Sequence, residues 1–374
     1  MTYVLKQYDK NIMSFSLIRD FDGIRAEISK VFDRAFMPLG LQPDNEALLR
    51  WLRRRTIPAN RAYVQNFLAR FGLNERDTKG IIDICRGLSL NDSYWIVPDD
   101  FDGKFADYNL YQNRFSRAVA LIAFTGYGGA STRTSLASSP EFTTGGMLAK
   151  CWRRIDGRIV LFKSGTEGAA NSGCEPYSEF LACQAALAVG IDAVPYSLAR
   201  WKGRLCSTCG LFTDIDHSFI PVGGLVREGG MRAVAEFYMN LGSDYYDCLA
   251  DMLVFDAVIC NTDRHFGNFG FIVDNRSNRI IRPAPLFDHG NSLFNFAMDD
   301  DLRDLESYAA TRLPATYPDF VEMAKAVMGA KQRARLRKLA NFKFKKHQRY
   351  NLPRERVAAL EGFIRLRAEK LLRG

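Results

Sequence analysis

The sequence predicts an α+β fold: a sheet-rich lobe, a helical lobe, and an additional helical module at the N-terminus. Three observations lead there. From about residue 116, short runs of β-branched and aromatic residues sit between Gly, Ser and Asp-Gly turn signals. From about residue 226, helix-length apolar patterns take over, interrupted by one hairpin. The first 110 or so residues carry three short segments with helix start and stop signals. Strands followed by helices is the order of an α+β arrangement. The boundaries so read are 1–110, 111–225 and 226–374.

In the N-terminal module, "PDNEALLRWLRRR" spaces Leu48, Leu49 and Leu52 for one helix face. "PANRAYVQNFLARFG" runs from a helix-start Pro to a terminating Gly, and "NERDTKGIIDICRG" repeats that logic. Arg53, Arg54 and Arg55 lie between these helices without a recognisable DNA-reading helix, so a packing module is expected. Next, "FSRAVALIAFTG" and "MLAKCWRRIDGRIVLFKSG" read as strands. "SEFLACQAALAVG" reads as a helix ending at Gly190, and "AVPYSLARWKGRLCSTCGLF" as two strands about a Lys-Gly turn.

The chain has 374 residues, 47% of them apolar, enough for sizeable cores without disulfides. Its eight cysteines are scattered, several in apolar segments, as in reduced intracellular proteins. Cys206 and Cys209 form one C-x-x-C with no second pair at zinc-site spacing. The start, "MTYVLKQYDKNIMSFSLIRD", alternates polar and apolar residues and lacks the apolar core of a signal peptide. No run approaches the roughly 18 apolar residues of a membrane span, so a cytoplasmic location is expected. Net charge is +9 and uneven: residues 331–374 hold 15 Lys or Arg against 3 Glu. Such a region can bind an acidic protein, RNA or an anionic surface, but a solvated helix face with arginines covering apolar surface is the expected reading; nucleic acid is not favoured as the partner.

The densest chemistry lies in "AVICNTDRHFGNFGFIVDNRSNRIIRPAPLFDHGNS", residues 257–292. The apolar pattern before it marks a buried helix; "NTDRHFGN" is then a loop, "FGFIV" a strand, "DNRSN" a turn and "RIIRPAPLF" a second strand. Asp263 and Asn268 therefore precede the first strand, and Asp288 follows the second, at one end of a hairpin. Phosphoryl transfer needs such groups: hard oxygen ligands for Mg²⁺ and a carboxylate beside the attacking hydroxyl. The five-position step from Asp263 to Asn268 equals that from Asp to Asn in the H-R-D-x-x-x-x-N loop, and "FDHG" stands where D-F-G would.

"NTDRHFGNFGF" followed by "LFDHGNS" resembles the HipA-like serine/threonine kinases, whose loop reads Asn-Thr-Asp-x-His-x-x-Asn. The D-R-H-x-x-N spelling also resembles phosphatidylinositol kinases, a related branch. The resemblance covers roughly residues 140–295 and implies a two-lobed protein-kinase-like fold. It implies Asp263 as catalytic base, Asn268 and Asp288 as Mg²⁺ ligands, and His265 bracing the loop or approaching the nucleotide. It further implies ATP and Mg²⁺ as cofactors, a protein substrate, and a toxin or growth-control role with an antitoxin or regulatory protein as partner. A lipid or small-molecule kinase, and a nucleic-acid-binding regulator on a kinase-like scaffold, are the alternatives.

The remaining parts of a kinase have candidates too. Lys163 closes the apolar run "GRIVLFKSG", where a buried charge needs a partner. Glu179 on the following helix is the candidate partner, with Glu175 second. In "SSPEFTTGGMLAK", backbone N–H groups of Thr144, Gly145 and Gly146 can line an anion site, although the G-x-G-x-x-G pattern is absent. HipA-like kinases can be silenced by autophosphorylation in this loop, for which Ser138, Ser139, Thr143 and Thr144 are available. His217 and His347 are expected at the surface.

Overall fold

The structure, a computed structural model, describes residues 1–20, 23–128 and 139–373. The N-terminal region departs from the expected helical module, because it is built around a sheet. Strands β1 (Thr2–Gln7), β2 (Lys10–Asp20) and β3 (Gly23–Val31) form an antiparallel meander. After helices α1 (Asn45–Arg53), α2 (Val64–Ala69) and α3 (Thr78–Cys85), β4 (Tyr94–Pro98) pairs antiparallel with β1, giving the order β3-β2-β1-β4. Met13, Phe15 and Leu17 are buried while Ser14, Ser16 and Ile18, which alternate with them, are half-buried. That alternation has period two, which a helix face cannot bury. The three helices fall where expected, and Asp44 and Asp77 cap α1 and α3, accepting from the N–H groups of Ala47 at 2.8 Å and Gly80 at 3.0 Å.

After α4 (Phe105–Tyr108), the run expected as a strand at 116–126 is helix α5 (Arg117–Thr125). Ser116 caps it, accepting from Val119 N–H at 3.3 Å, and Gly126 ends it at φ 77°. Val119, Ile122 and Ala123 recur at helical spacing and pack with Phe67, Ile81 and Phe142.

Strands β5 (Lys150–Ile155) and β6 (Arg158–Ser164) meet at Asp156-Gly157, with φ 48° and 78°, as a tight two-residue hairpin requires. Helix α6 (Glu175–Val189) follows, then β7 (Tyr196–Trp201) and β8 (Arg204–Gly210) about Lys202-Gly203; the sheet order is β5-β6-β8-β7. Next come β9 (His217–Pro221), α7 (Val222–Leu225), α8 (Gly230–Leu241) and α9 (Ser243–Ile259). Strands β10 (Gly270–Asp274) and β11 (Arg279–Pro283) form the expected hairpin, in a sheet of order β11-β10-β9. Helices α10 (Leu305–Ala310), α11 (Phe320–Val327), α12 (Ala330–Arg337) and α13 (Arg354–Arg373) complete a mixed α/β chain.

Two compact units result. The first comprises 1–162, 211–220 and 272–281; the second comprises 163–210, 221–271 and 282–374. The first has its core around β1, β2 and α1, where Tyr3 stacks on Phe15. The second is threaded by α9, whose residues from Leu249 to Ile259 are all buried. Among the described residues, no helix is long and apolar enough to cross a membrane.

Candidate active site

The second unit begins at Lys163, and six of the expected site residues belong to it: Lys163, Glu179, Asp263, His265, Asn268 and Asp288. Lys163 is the penultimate residue of β6 and is buried at 7% exposure, so its ammonium requires compensation. It donates to Glu179 Oε1 at 2.8 Å and is ion-paired with Asp288. Burial alone pushes its pKa down, but Asp288 and Glu179 outweigh that and hold it above the ordinary lysine value. For Glu179, burial raises the pKa and Lys163 opposes the rise.

Helix α6 supplies more than the carboxylate. Glu179 Oε2 accepts from the His289 N–H at 2.8 Å, and Ser178 Oγ donates to Ser292 O at 2.8 Å. The helix is thereby latched to the segment that carries Asp288. Glu175, the second candidate partner, instead accepts from the N–H of Thr166 at 3.2 Å and from its hydroxyl, bracing the turn after β6. Asp288 has φ 57°, a strained conformation for a residue with a side chain, and its N–H donates to Tyr196 OH at 3.1 Å.

The loop after α9 is organised by a residue that sequence reasoning passed over. Arg264 is fully buried and pairs with Asp256 of α9, Nε to Oδ2 at 2.9 Å and Nη2 to Oδ1 at 3.1 Å. Its Nη1 donates to Phe287 O at 2.7 Å and Asn268 O at 3.1 Å, tying both ends of the β10–β11 hairpin to one guanidinium. Nη2 also donates to His289 Nδ1 at 3.0 Å. Burial, then the Arg264 charge, holds His289 well below the ordinary histidine pKa, so the ring is neutral with its proton on Nε2. The available signal was Asp256 itself, a carboxylate inside the apolar run "MLVFDAVIC".

Asp263 is half-buried; its Oδ2 accepts from Asn291 Nδ2 at 3.0 Å, and Thr262 N–H donates to Asn291 O at 3.0 Å. Asn291, also missed, thus joins the Asp263 loop to the Asp288 segment. Asn268 Nδ2 donates to Asp263 O at 3.0 Å, which commits the amide nitrogen and leaves Oδ1 as the acceptor atom. His265 is exposed, and its Nδ1 accepts from Gly267 N–H at 3.0 Å, capping its own loop. Asn268 and Asp288 form a carboxamide and carboxylate set, and among the described residues no group of three or more His, Cys, Asp or Glu is placed to hold a metal. A set of that size fits Mg²⁺, which keeps waters and takes phosphate oxygens alongside one or two carboxylates.

Thr144, Gly145 and Gly146 belong to the first unit. Thr144 Oγ1 donates to Pro140 O at 2.7 Å and accepts from Trp152 Nε1 at 3.0 Å. The carbonyls of Gly145 and Gly146 accept from buried Arg61 Nη1 at 3.2 and 3.1 Å, so the carbonyls, rather than the N–H groups, are engaged with the core. Of the nearby hydroxyls, Ser139 is bonded to Glu141 and Thr143 to Leu88 O at 2.8 Å, both buried; Ser138 lies outside the described residues. None of the eight cysteines, Cys206 and Cys209 included, forms a disulfide. His217 is partly exposed beside Asp214, and His347 stacks on Tyr350.

No protein-family model matches the chain. Over 147 residues it is 25% identical to the serine/threonine-protein kinase CtkA of Helicobacter pylori, a match spanning 36% of this chain and 44% of that protein. The similarity supports the kinase resemblance carried by the loop motifs. The crystal structure of the Helicobacter pylori proinflammatory kinase CtkA superposes with a TM-score of 0.45 at 17% identity, over 60% of this chain and 91% of that one. HipA of Shewanella oneidensis, solved with HipB and operator DNA, gives 0.49 at 13% identity, over 98% and 97% of the two chains.

Proposed function

We propose that this chain is a HipA-like kinase that transfers a phosphoryl group from ATP to Ser or Thr hydroxyls of a protein. The observation that carries the reading is buried Lys163, bridging Glu179 and Asp288 in the same unit as the Asp263–Asn268 loop. Such transfer is catalysed by positioning and charge stabilisation more than by covalent chemistry. Bound ATP and Mg²⁺ supply the phosphoryl group and the neutralising charge.

The chain's own residues have these roles. Lys163 offers its ammonium to phosphate oxygens, with Glu179 holding it in place. Asp263, oriented by Asn291, holds the acceptor hydroxyl and takes up its proton. Asn268 Oδ1 and the Asp288 carboxylate are the hard-oxygen donors for Mg²⁺. Arg264 sets the spacing between these two segments by holding Asn268 O and Phe287 O together. His265 braces the loop. Thr144, Gly145 and Gly146 remain the candidate phosphate loop, and a regulatory protein partner is part of the same reading.

The test is incubation of purified protein with labelled ATP and Mg²⁺, with acceptor protein, with phosphoinositide vesicles, and alone. Label on Ser or Thr, lost in Asp263→Ala and Asp288→Ala, is the expected result. Absence of ATP binding and of any transfer would overturn the reading. Transfer to lipid alone would move it to the phosphatidylinositol-kinase type.

A further inference from the structure

The basic C-terminal region has a second role to offer, away from Lys163. Tyr177, Phe180, Leu181 and Gln184 form one stripe along α6, on the side of the helix opposite Glu179. A cleft of about 160 Å³ runs beside this stripe, closed by the 344–354 segment and the start of α13, all within the second unit. Rings of Tyr177, Phe180, Phe344 and Tyr350 line it and are half-buried. The segment is pinned to α6: Lys345 N–H donates to Gln184 Oε1 at 2.7 Å, and the His347 ring meets Phe180 edge-on at 5.6 Å.

Charge at the cleft is one-sided. Lys345, Lys346 and Arg354 line it and are exposed, and among the described residues no ion pair involves them. The single carboxylate in the lining, Glu361, is committed to the Phe344 N–H at 2.9 Å. The volume is below the roughly 300 Å³ at which small-molecule sites begin, and suits one large side chain. Aromatic walls with unpaired cations at the mouth match a peptide carrying one aromatic residue among carboxylates.

We propose that this cleft is a docking site for an acidic segment of a protein partner, anchored by one aromatic side chain between the rings. Because Ser178 and Glu179 latch the other side of α6 to the Asp288 segment, the docked partner stiffens the helix that positions Lys163. That regulatory consequence rests on the kinase reading; the docking does not.

The probe is a fluorescein-labelled ten-residue peptide with one Trp flanked by Asp and Glu, titrated by anisotropy without nucleotide. Its comparators are the same peptide with Ser for Trp, and a single-stranded RNA of equal charge. Wild type is expected to bind the Trp peptide, with affinity falling about tenfold or more in Tyr350→Ala and in Lys345→Glu/Lys346→Glu. The charge-reversal pair alters exposed side chains, so it keeps the test sound where Tyr350→Ala fails to fold. No binding, equal binding of the Ser peptide, tighter binding of RNA, or affinity unchanged by the charge reversal would each overturn the proposal. Slower hydrogen exchange across 175–189 on peptide addition is expected, and unchanged exchange would refute the link to α6. Peptide binding without phosphoryl transfer would sink the kinase reading alone, whereas transfer without peptide binding would sink the docking site alone.

Discussion

Replacing Lys163 by Met tests the central ion pair most directly. Glu179 is fully buried, and its two oxygens are held by Lys163 Nζ and the His289 N–H, each at 2.8 Å. Removing the ammonium leaves a buried carboxylate with one neutral hydrogen bond. Breaking a buried pair in this way costs about 3–5 kcal/mol. The lower end is expected, because Asp288, with a side-chain exposure of 30%, can recover hydration. Burial already raises the Glu179 pKa, so without Lys163 the carboxyl takes up a proton more readily and the loss shrinks as pH falls. The double variant Lys163→Met/Glu179→Gln removes the stranded charge and should regain about 1–3 kcal/mol relative to Lys163→Met. Denaturant unfolding of the four-member cycle, followed by exchange protection of α6 amides, measures the coupling. If Glu179→Gln costs the same in the Lys163→Met background as in wild type, Lys163 and Glu179 are not coupled and the reasoning fails. Phosphoryl transfer should fall about 10²–10³-fold in Lys163→Met and stay low in the double variant, separating stability from activity.

Three further outcomes are expected. Asp263→Asn keeps an oxygen for the Asn291 amide but loses the proposed base, so transfer should drop about 10²–10⁴-fold with melting temperature unchanged; a large melting shift would assign Asp263 to stability instead. Arg264→Met strands Asp256 and releases Asn268 O and Phe287 O, costing about 3–5 kcal/mol, and Arg264→Met/Asp256→Leu should recover part of the stability without the activity, measured by melting and transfer together. Burial raises the pKa of Glu141 above the usual 4.5, so the folded state holds its proton longer than the unfolded state. Stability therefore falls as pH rises from about 4.5 through the folded pKa. Glu141→Gln should flatten that part of the stability profile, and an unchanged slope in pH-dependent unfolding would refute the assignment.

Local pattern was informative where spacing and punctuation agreed. Strand β6 with Lys163 near its end, helix α6 stopping before Gly190, the β7–β8 hairpin, and the order α9, loop, β10, β11 were all readable, because each depends on nearest-neighbour periodicity and turn chemistry. Two segments were misread for identifiable reasons. Nine apolar-rich residues at 117–125 suit either a strand or a helix, and the Ser116 cap with burial of Val119, Ile122 and Ala123 against Phe67 and Phe142 favoured the helix. In the N-terminal region, period-two alternation at 2–31 stands beside helix start and stop signals at 45–85, and the region contains both the strands and the helices.

Sequence alone determined which chemistry the chain can offer: Asp263, Asn268 and Asp288 at one end of a hairpin, and a lysine at the end of an apolar strand. Tertiary structure decided how those groups are paired and held. It assigned Lys163 to Glu179 rather than Glu175, and set Asn291 beside Asp263. It also buried Arg264 between Asp256, Asn268 O and Phe287 O. The physical reason is range: propensity and spacing act within a turn or a strand. The partner that a buried charge must find is chosen by whichever distant segment packing brings within hydrogen-bonding distance.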